Sequence, residues 1–234
     1  MFEFESEVRY SETDSRQKLN AQGIINYFQD CTTLQSAELG AGLNDLRKKD
    51  LAWVLSAWQI DIFNAPSVGD KITVGTYPYE YKNIFGKRNF IMKDKEGNVL
   101  AVADSLWILL NYTTGKPVRV GEDVAGVYTL EEQYPMEIVK GRITLPDNAQ
   151  KGTPIRVMNH HLDVNLHVNN GRYVEMLLDN VEVRDYSRLR VEYRKMAHLD
   201  DILTPVIAHE EGKEVLFLMD ESDEVCCAME IYYD

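Results

Sequence analysis

Cysteine is scarce in this chain, and so is positive charge. Only Cys31, Cys226 and Cys227 occur; the last two are adjacent, which makes them poor partners for each other and gives no metal-ligand spacing. Reduced, buried thiols are expected rather than a disulfide framework. No apolar run approaches the roughly 20 residues that span a bilayer. The amino-terminal "MFEFESEVRYSETD" is acidic where a secretory signal is basic and then greasy, so a cytoplasmic protein with no membrane partner is the expectation. Lysine and arginine total 25 against 38 acidic residues, a net charge of -13, and the stretch from Asp200 to Asp234 alone holds eleven acidic residues against one lysine. Such a surface disfavours nucleic acid, whose phosphates need basic contacts.

One run goes against this trend. "VRDYSRLRVEYRK", Val183 to Lys195, has five basic and two acidic residues, and Arg188, Arg190 and Arg194 would share one face of a strand. It reads first as a solvated strand face and second as a docking strip for an anionic partner.

What the chain does have is enough apolar residues, 44% of 234, for one large core or two domains of about 100 to 120 residues each. Ile24, Ile25, Phe28, Cys31, Leu34 and Ala37 recur at helical spacing and predict one long helix from about Ala21 to Leu39. Strand-like segments follow, "AWVLSAWQIDIF", "DKITVGTYPYEY", "GKRNFIMKDK" and "VLAVADSLWILLNY", rich in β-branched and aromatic residues and separated by turn residues. The second half repeats the order, with "NNGRYVEMLLDNV" as helix and "RLRVEYRKMA", "DILTPVIAHE", "KEVLFLMD" and "VCCAMEIYYD" as strands. An offset of 149 residues sets Asp14 on Asp163, Asn20 on Asn169 and Asp30 on Asp179, as a duplicated unit requires. The fold class is therefore α+β. Residues 1–130 form the first unit, 131–150, with its prolines and no strand pattern, the linker, and 151–234 the second unit.

The copies differ in one polar cluster, "LDVNLHVNN" (Leu162 to Asn170), where Asn165 replaces Arg16 and His167 replaces Lys18. His167 has the side chain suited to taking a proton from water near neutral pH and returning it to a leaving group. If the loop curls, Asp163 can accept a hydrogen bond from one imidazole nitrogen and fix its tautomer, or it can itself polarise the water. Asn169 or Asn170 can cap the helix that follows, whose first-turn amides suit a developing oxyanion. The competing reading makes Asp163, Asn165 and Asn169 plain loop and capping residues. His160, His161 and His167 lie close together, but no cysteine or second carboxylate completes a metal-ligand pattern. No metal or cofactor is called for.

"DVNLHVNNGRYVEMLLD", after the degenerate copy "TDSRQKLNAQGIINYFQD" and with the later "VEYRK" strand, resembles the acyl-acyl-carrier-protein (acyl-ACP) thioesterases. The resemblance implies two tandem hot-dog units, each a long helix wrapped by an antiparallel sheet, the first holding the acyl chain and the second catalytic. It implies hydrolysis of fatty acyl-ACP to free fatty acid by activated water, with Asp163, Asn165 and His167 at the catalytic positions, and acyl carrier protein as partner. Trp53, Trp58 and Trp107 suit the acyl-binding role and equally a plain core. Plant relatives carry a Glu-Cys pair where this chain has Met196 and Ala197, so a cysteine nucleophile there is excluded, and Glu175 is one candidate to replace the missing glutamate. Two alternatives stay open: an acyl-CoA thioesterase, and a non-catalytic protein that binds an acyl ligand. Hot-dog units commonly pair through their sheets, so a homodimer is an option.

Overall fold

The structure, a computed structural model, describes residues 1–182 and 185–233. Val183 and Arg184, which open the basic run, and Asp234, which ends the acidic tail, lie outside the described residues. The chain groups into two compact units, Met1–Ala57 with Phe63–Ile138, and Trp58–Ile62 with Val139–Asp234.

The first unit opens with strand β1 (Phe2–Glu7), whose residues alternate between half-buried and exposed. Helix α1 (Ala21–Glu38) starts at Asn20, whose side chain accepts a hydrogen bond from the Gly23 amide. The helical spacing read from the sequence matches its buried face over the first three turns, where Ile24, Ile25, Phe28 and Cys31 are all buried, whereas Leu34 and Ala37 are exposed. A short helix α2 (Leu43–Lys48) leads into strands β2 (Leu51–Ile62), β3 (Lys71–Lys82), β4 (Phe85–Asp94) and β5 (Val99–Asn111), followed by the single turn α3 (Glu122–Ala125). Strands β1, β3, β4 and β5 pair antiparallel in that order. Helix α1 lies on β3 and β1, and the Phe28 ring sits 5.2 Å from that of Phe90 on β4. Burying side chains of this size contributes about 1.5 to 3 kcal/mol each, which fixes the helix to its sheet.

The second unit repeats the plan. Short strands β6 (Gln150–Lys151) and β7 (Ile155–Arg156) precede helix α4 (Asn170–Leu178), and then come β8 (Arg188–Tyr193), β9 (Ile202–Glu210), β10 (Lys213–Met219) and β11 (Val225–Tyr232). The antiparallel order is β8, β11, β10, β9, β6, with β7 also on β9. Helix α4 packs on β10 and β11 through Tyr173, Val174, Met176 and Leu177, all buried. It has 9 residues where α1 has 18, so the second helix is shorter than a long helix in both units would require.

The basic run is not a solvated face, because Arg188, Arg190 and Arg194 are paired with carboxylates. Arg188 makes a two-pronged pair with Asp61, at 2.6 and 2.9 Å, and Arg190 pairs with Glu230 and donates to the Gly141 carbonyl at 2.7 Å. Arg194 pairs with Glu192 and Lys195 with Asp220 and Glu224. The three guanidinium groups are mostly buried, with side chains 22%, 11% and 15% exposed. Sequence spacing placed the arginines, with Glu192 beside Arg194, but could not supply Asp61 and Glu230, which other strands bring to Arg188 and Arg190.

Candidate active site

The Leu162–Asn169 segment folds into a tight loop closed by an isolated bridge between Leu162 and Val168. The Asp163 amide donates to the His167 carbonyl at 2.8 Å and the Leu166 amide to the Asp163 carbonyl at 3.0 Å. The carboxylate of Asp163 fills the loop. Its Oδ1 accepts from the amides of Asn165 (2.7 Å) and His167 (3.4 Å), and its Oδ2 accepts from Asn165 Nδ2 (3.4 Å). This is an Asx-type turn, the local bond that makes aspartate a turn former. The loop does curl, yet the hydrogen bonds of Asp163 go to backbone amides and to Asn165, not to the His167 ring. The turn carries Leu166 through φ +62°, an uncommon conformation for a residue with a side chain.

The first unit contains the same loop almost bond for bond. There the Asp14 amide donates to the Lys18 carbonyl (2.8 Å), the Gln17 amide to the Asp14 carbonyl (2.9 Å), and Gln17 takes φ +63°. The Asp14 carboxylate accepts from the amides of Arg16 (2.8 Å) and Lys18 (3.1 Å) and from Arg16 Nε (3.1 Å). Burial pushes its pKa up, but these bonds and the Arg16 charge outweigh it and the net shift is downward. A second turn closes each loop. Val168 donates to the Ala197 carbonyl at 3.0 Å as Leu19 does to that of Pro66 at 2.8 Å, and the His198 amide donates to Asp201 Oδ2 at 2.8 Å as that of Ser67 does to Asp70 Oδ2 at 2.7 Å. One scaffold is thus built twice, and the side chains it presents differ: Arg16, Lys18 and Ser67 in the first unit, Asn165, His167 and His198 in the second.

His167 is half-buried, and its ring meets that of His198 edge to face, with centroids 4.8 Å apart and planes at 84°. Its pKa is lowered, first by burial and then by the neighbouring His198, with the Asp163 charge pulling the other way. The ring is therefore held as the free base near neutral pH, the form a general base needs. Asn169 caps α4, its side chain accepting from Gly171 at 2.9 Å and its carbonyl from Arg172 at 2.9 Å. Two amides of the first turn are thereby used. Glu175 pairs with Arg172 at 2.7 Å, and its charge acts on His161. Met196 is partly exposed and Ala197 buried, its amide bonded to the Tyr173 hydroxyl at 2.8 Å. Of the tryptophans, Trp58 is buried and groups with the second unit, Trp53 lies tilted against Tyr81 with ring centroids 5.9 Å apart, and Trp107 donates to Ser105 at 2.9 Å. His198 is the residue that motif spacing alone does not find. The available signal is that all five histidines, His160, His161, His167, His198 and His209, fall in the second half of the chain.

Comparison with known proteins gives a consistent picture. A chloroplastic acyl-[acyl-carrier-protein] hydrolase of Cuphea viscosissima is 27% identical over 227 residues, 88% of this chain and 54% of that one. A chloroplastic oleoyl-acyl carrier protein thioesterase of Arabidopsis thaliana is 28% identical over 218 residues, 84% of this chain and 60% of that one. The chain thus spans little more than half the length of these curated relatives. Among solved structures, an acyl-ACP thioesterase from Bacteroides thetaiotaomicron superposes with a TM-score of 0.90 at 24% identity, covering 99% of this chain and 97% of that one. A 12:0-ACP thioesterase from Umbellularia californica gives 0.85 at 23%, covering 100% and 96%. The architecture is that of two tandem hot-dog units. With the amino-terminal acyl-ACP thioesterase domain matching residues 1–128 and the carboxy-terminal domain matching residues 144–234, the chain belongs to the acyl-ACP thioesterase family.

Proposed function

We propose that this protein hydrolyses fatty acyl-ACP to free fatty acid and carrier thiol, acting in the cytoplasm through water rather than a protein nucleophile. One observation carries the reading: a duplicated scaffold presents an imidazole, held as free base, in the second unit and a lysine in the first. Asp163, Asn165 and His167 form the site. His167 takes a proton from water as its oxygen adds to the thioester carbonyl, and returns it to the departing thiolate as the carbon–sulfur bond breaks. Asp163 shapes the loop and favours the imidazolium that forms in between. The oxyanion is met by the α4 amino terminus and by Asn165 Nδ2, which has a second hydrogen to donate. Residues 151–234 do the chemistry, residues 1–130 hold the acyl chain, and residues 131–150 connect them.

Cysteine does not compete for the nucleophile's role. Cys31, Cys226 and Cys227 are free and buried, and burial raises the thiol pKa of Cys31 to about 12 and of Cys226 to about 11, with Cys227 also well above the ordinary value. The test is thiol release from acyl-ACP by the parent and by His167→Ala. Loss of the base and acid in one group should cut turnover at least 100-fold in a folded protein, within the roughly 100- to 10,000-fold range of such groups. Release from acyl-CoA but not acyl-ACP would change the carrier. Binding of acyl-ACP without release by the parent would make the protein a carrier of acyl ligand instead of an enzyme.

A further inference from the structure

We propose that His198 is a positioning residue for His167: anchored through its turn by Asp201, its ring abuts the His167 ring edge to face and sets that ring's orientation. The inference rests on the hydrolase reading, in which His167 is the base.

The turn that carries His198 is fixed independently of the imidazole. The Ala197 amide bonds to the Tyr173 hydroxyl (2.8 Å), the Ala197 carbonyl accepts from Val168 (3.0 Å), and the His198 amide donates to Asp201 Oδ2 (2.8 Å). Asp201 and Asp200 in turn exchange bonds with Val157: Val157 donates to the Asp201 carbonyl (2.8 Å) and Asp200 to that of Val157 (3.0 Å). The first unit has all of these bonds except the one to the Tyr173 hydroxyl, since Pro66 stands at the place of Ala197 and has no amide hydrogen; Ser67, Gly69 and Asp70 hold the other places, with Val8 donating to the Asp70 carbonyl at 3.0 Å. There Lys18 and Ser67 are joined by a bridge. The turn thus folds without an imidazole, and the histidine ring is an addition to a backbone that does not require it. It appears in the unit that also gained His167, at the one place where it touches His167. The His198 side chain is otherwise 59% exposed, and its Nδ1 lies 3.9 Å from Asp201 Oδ2, so little of its surface is spent on core packing. An aromatic edge-to-face contact has a preferred geometry, and a ring that must transfer a proton in two directions gains from being held. The charged groups acting on His167 are His198 and Asp163, and the one beside His198 is Asp201.

The experiment compares the parent with His198→Ala and His198→Phe. Because none of the turn's hydrogen bonds uses the His198 side chain and Asp201 is untouched, both variants should melt at the parental temperature. His198→Ala should lower kcat for acyl-ACP about tenfold or more with KM within about twofold, as expected when a reacting group loses its alignment. His198→Phe keeps an edge-to-face ring and should recover most of that loss. In both, removal of the neighbouring imidazole should move the acid limb of the kcat/KM profile to higher pH. The His167 Cε1–H resonance, identified by its absence in His167→Ala, should show the same upward move in its titration midpoint. Parental kcat in His198→Ala, or an unmoved midpoint in both variants, overturns the inference. If the parent releases no thiol, the hydrolase reading fails, and the midpoint alone then decides whether the ring contact governs His167: a move supports it and an unmoved midpoint overturns it.

Discussion

At the scale of single residues, Asp14 and Asp163 show how one carboxylate does the same structural work in two places and chemical work in one. Both accept the amides two and four residues ahead, a duty the Oδ1 of an asparagine can also perform. Asp163→Asn and Asp14→Asn should therefore both leave the loop standing. Only Asp163 has an imidazole beside it, and its negative charge favours protonated His167. In Asp163→Asn that support is gone, the His167 pKa falls further, and the acid limb of kcat/KM moves to lower pH, opposite to the shift expected for the His198 variants. Turnover should drop about 10- to 100-fold, as for other lost supporting carboxylates, while Asp14→Asn stays within about threefold. Equal damage from the two in folded protein would mean that the carboxylate matters for the loop alone. The types and spacing of Asp163, Asn165 and His167 were legible in the sequence. That Asp163 addresses backbone amides rather than the imidazole was not, because a four-residue separation is compatible with either until the turn is known.

At the scale of elements, the shared turn has a cost in both units. Leu166 and Gln17 hold φ near +60° with a Cβ present, a conformation that costs about 1 kcal/mol relative to residues that tolerate it. Since Gln17 has the same angle where no imidazole stands, the strain belongs to the loop and not to catalysis. Leu166 is 70% exposed, so Leu166→Asn loses little packing and should stabilise by about 0.5 to 1 kcal/mol, read as a higher urea midpoint. Strand β8 gives the opposite case. Arg190 is buried against Glu230, which also takes Lys213 and Tyr232. Arg190→Glu sets two carboxylates together in the dark and should cost about 3 to 5 kcal/mol, with the urea midpoint as the measure. A stable variant with an altered KM for acyl-ACP would restore the docking strip. Elements with a strong period were legible: α1, and strands β2 to β5 and β8 to β11, lie close to the segments that periodicity picks out. Strand β1 is not picked out, since its alternation runs over only six residues, three of them glutamates, and the short helix α2 is too brief for a period to emerge.

At the scale of the whole molecule, duplication is legible because both copies need the same capped helix and the same turn, and those residues are constrained by backbone geometry rather than by chemistry. What approaches from elsewhere in the chain is not legible: Asp61 reaches Arg188 across 127 residues, and no local pattern marks such a pair. Charge is a property of the same scale. With the β8 arginines already paired, the net charge of -13 faces an approaching carrier with little local relief from that strand. A carrier protein of acidic type would then be repelled at long range, over about 30 Å at 0.01 M salt and about 10 Å at 0.1 M. Raising salt from roughly 10 to 150 mM should therefore increase kcat/KM for acyl-ACP severalfold through faster encounter, while leaving kcat unchanged. A neutral acyl thioester of a short thiol feels no such field and serves as the control, with kcat/KM flat across the same range. If kcat/KM for acyl-ACP instead falls as salt rises while the control stays flat, encounter is governed by an attractive basic patch outside β8, and net repulsion does not govern carrier binding.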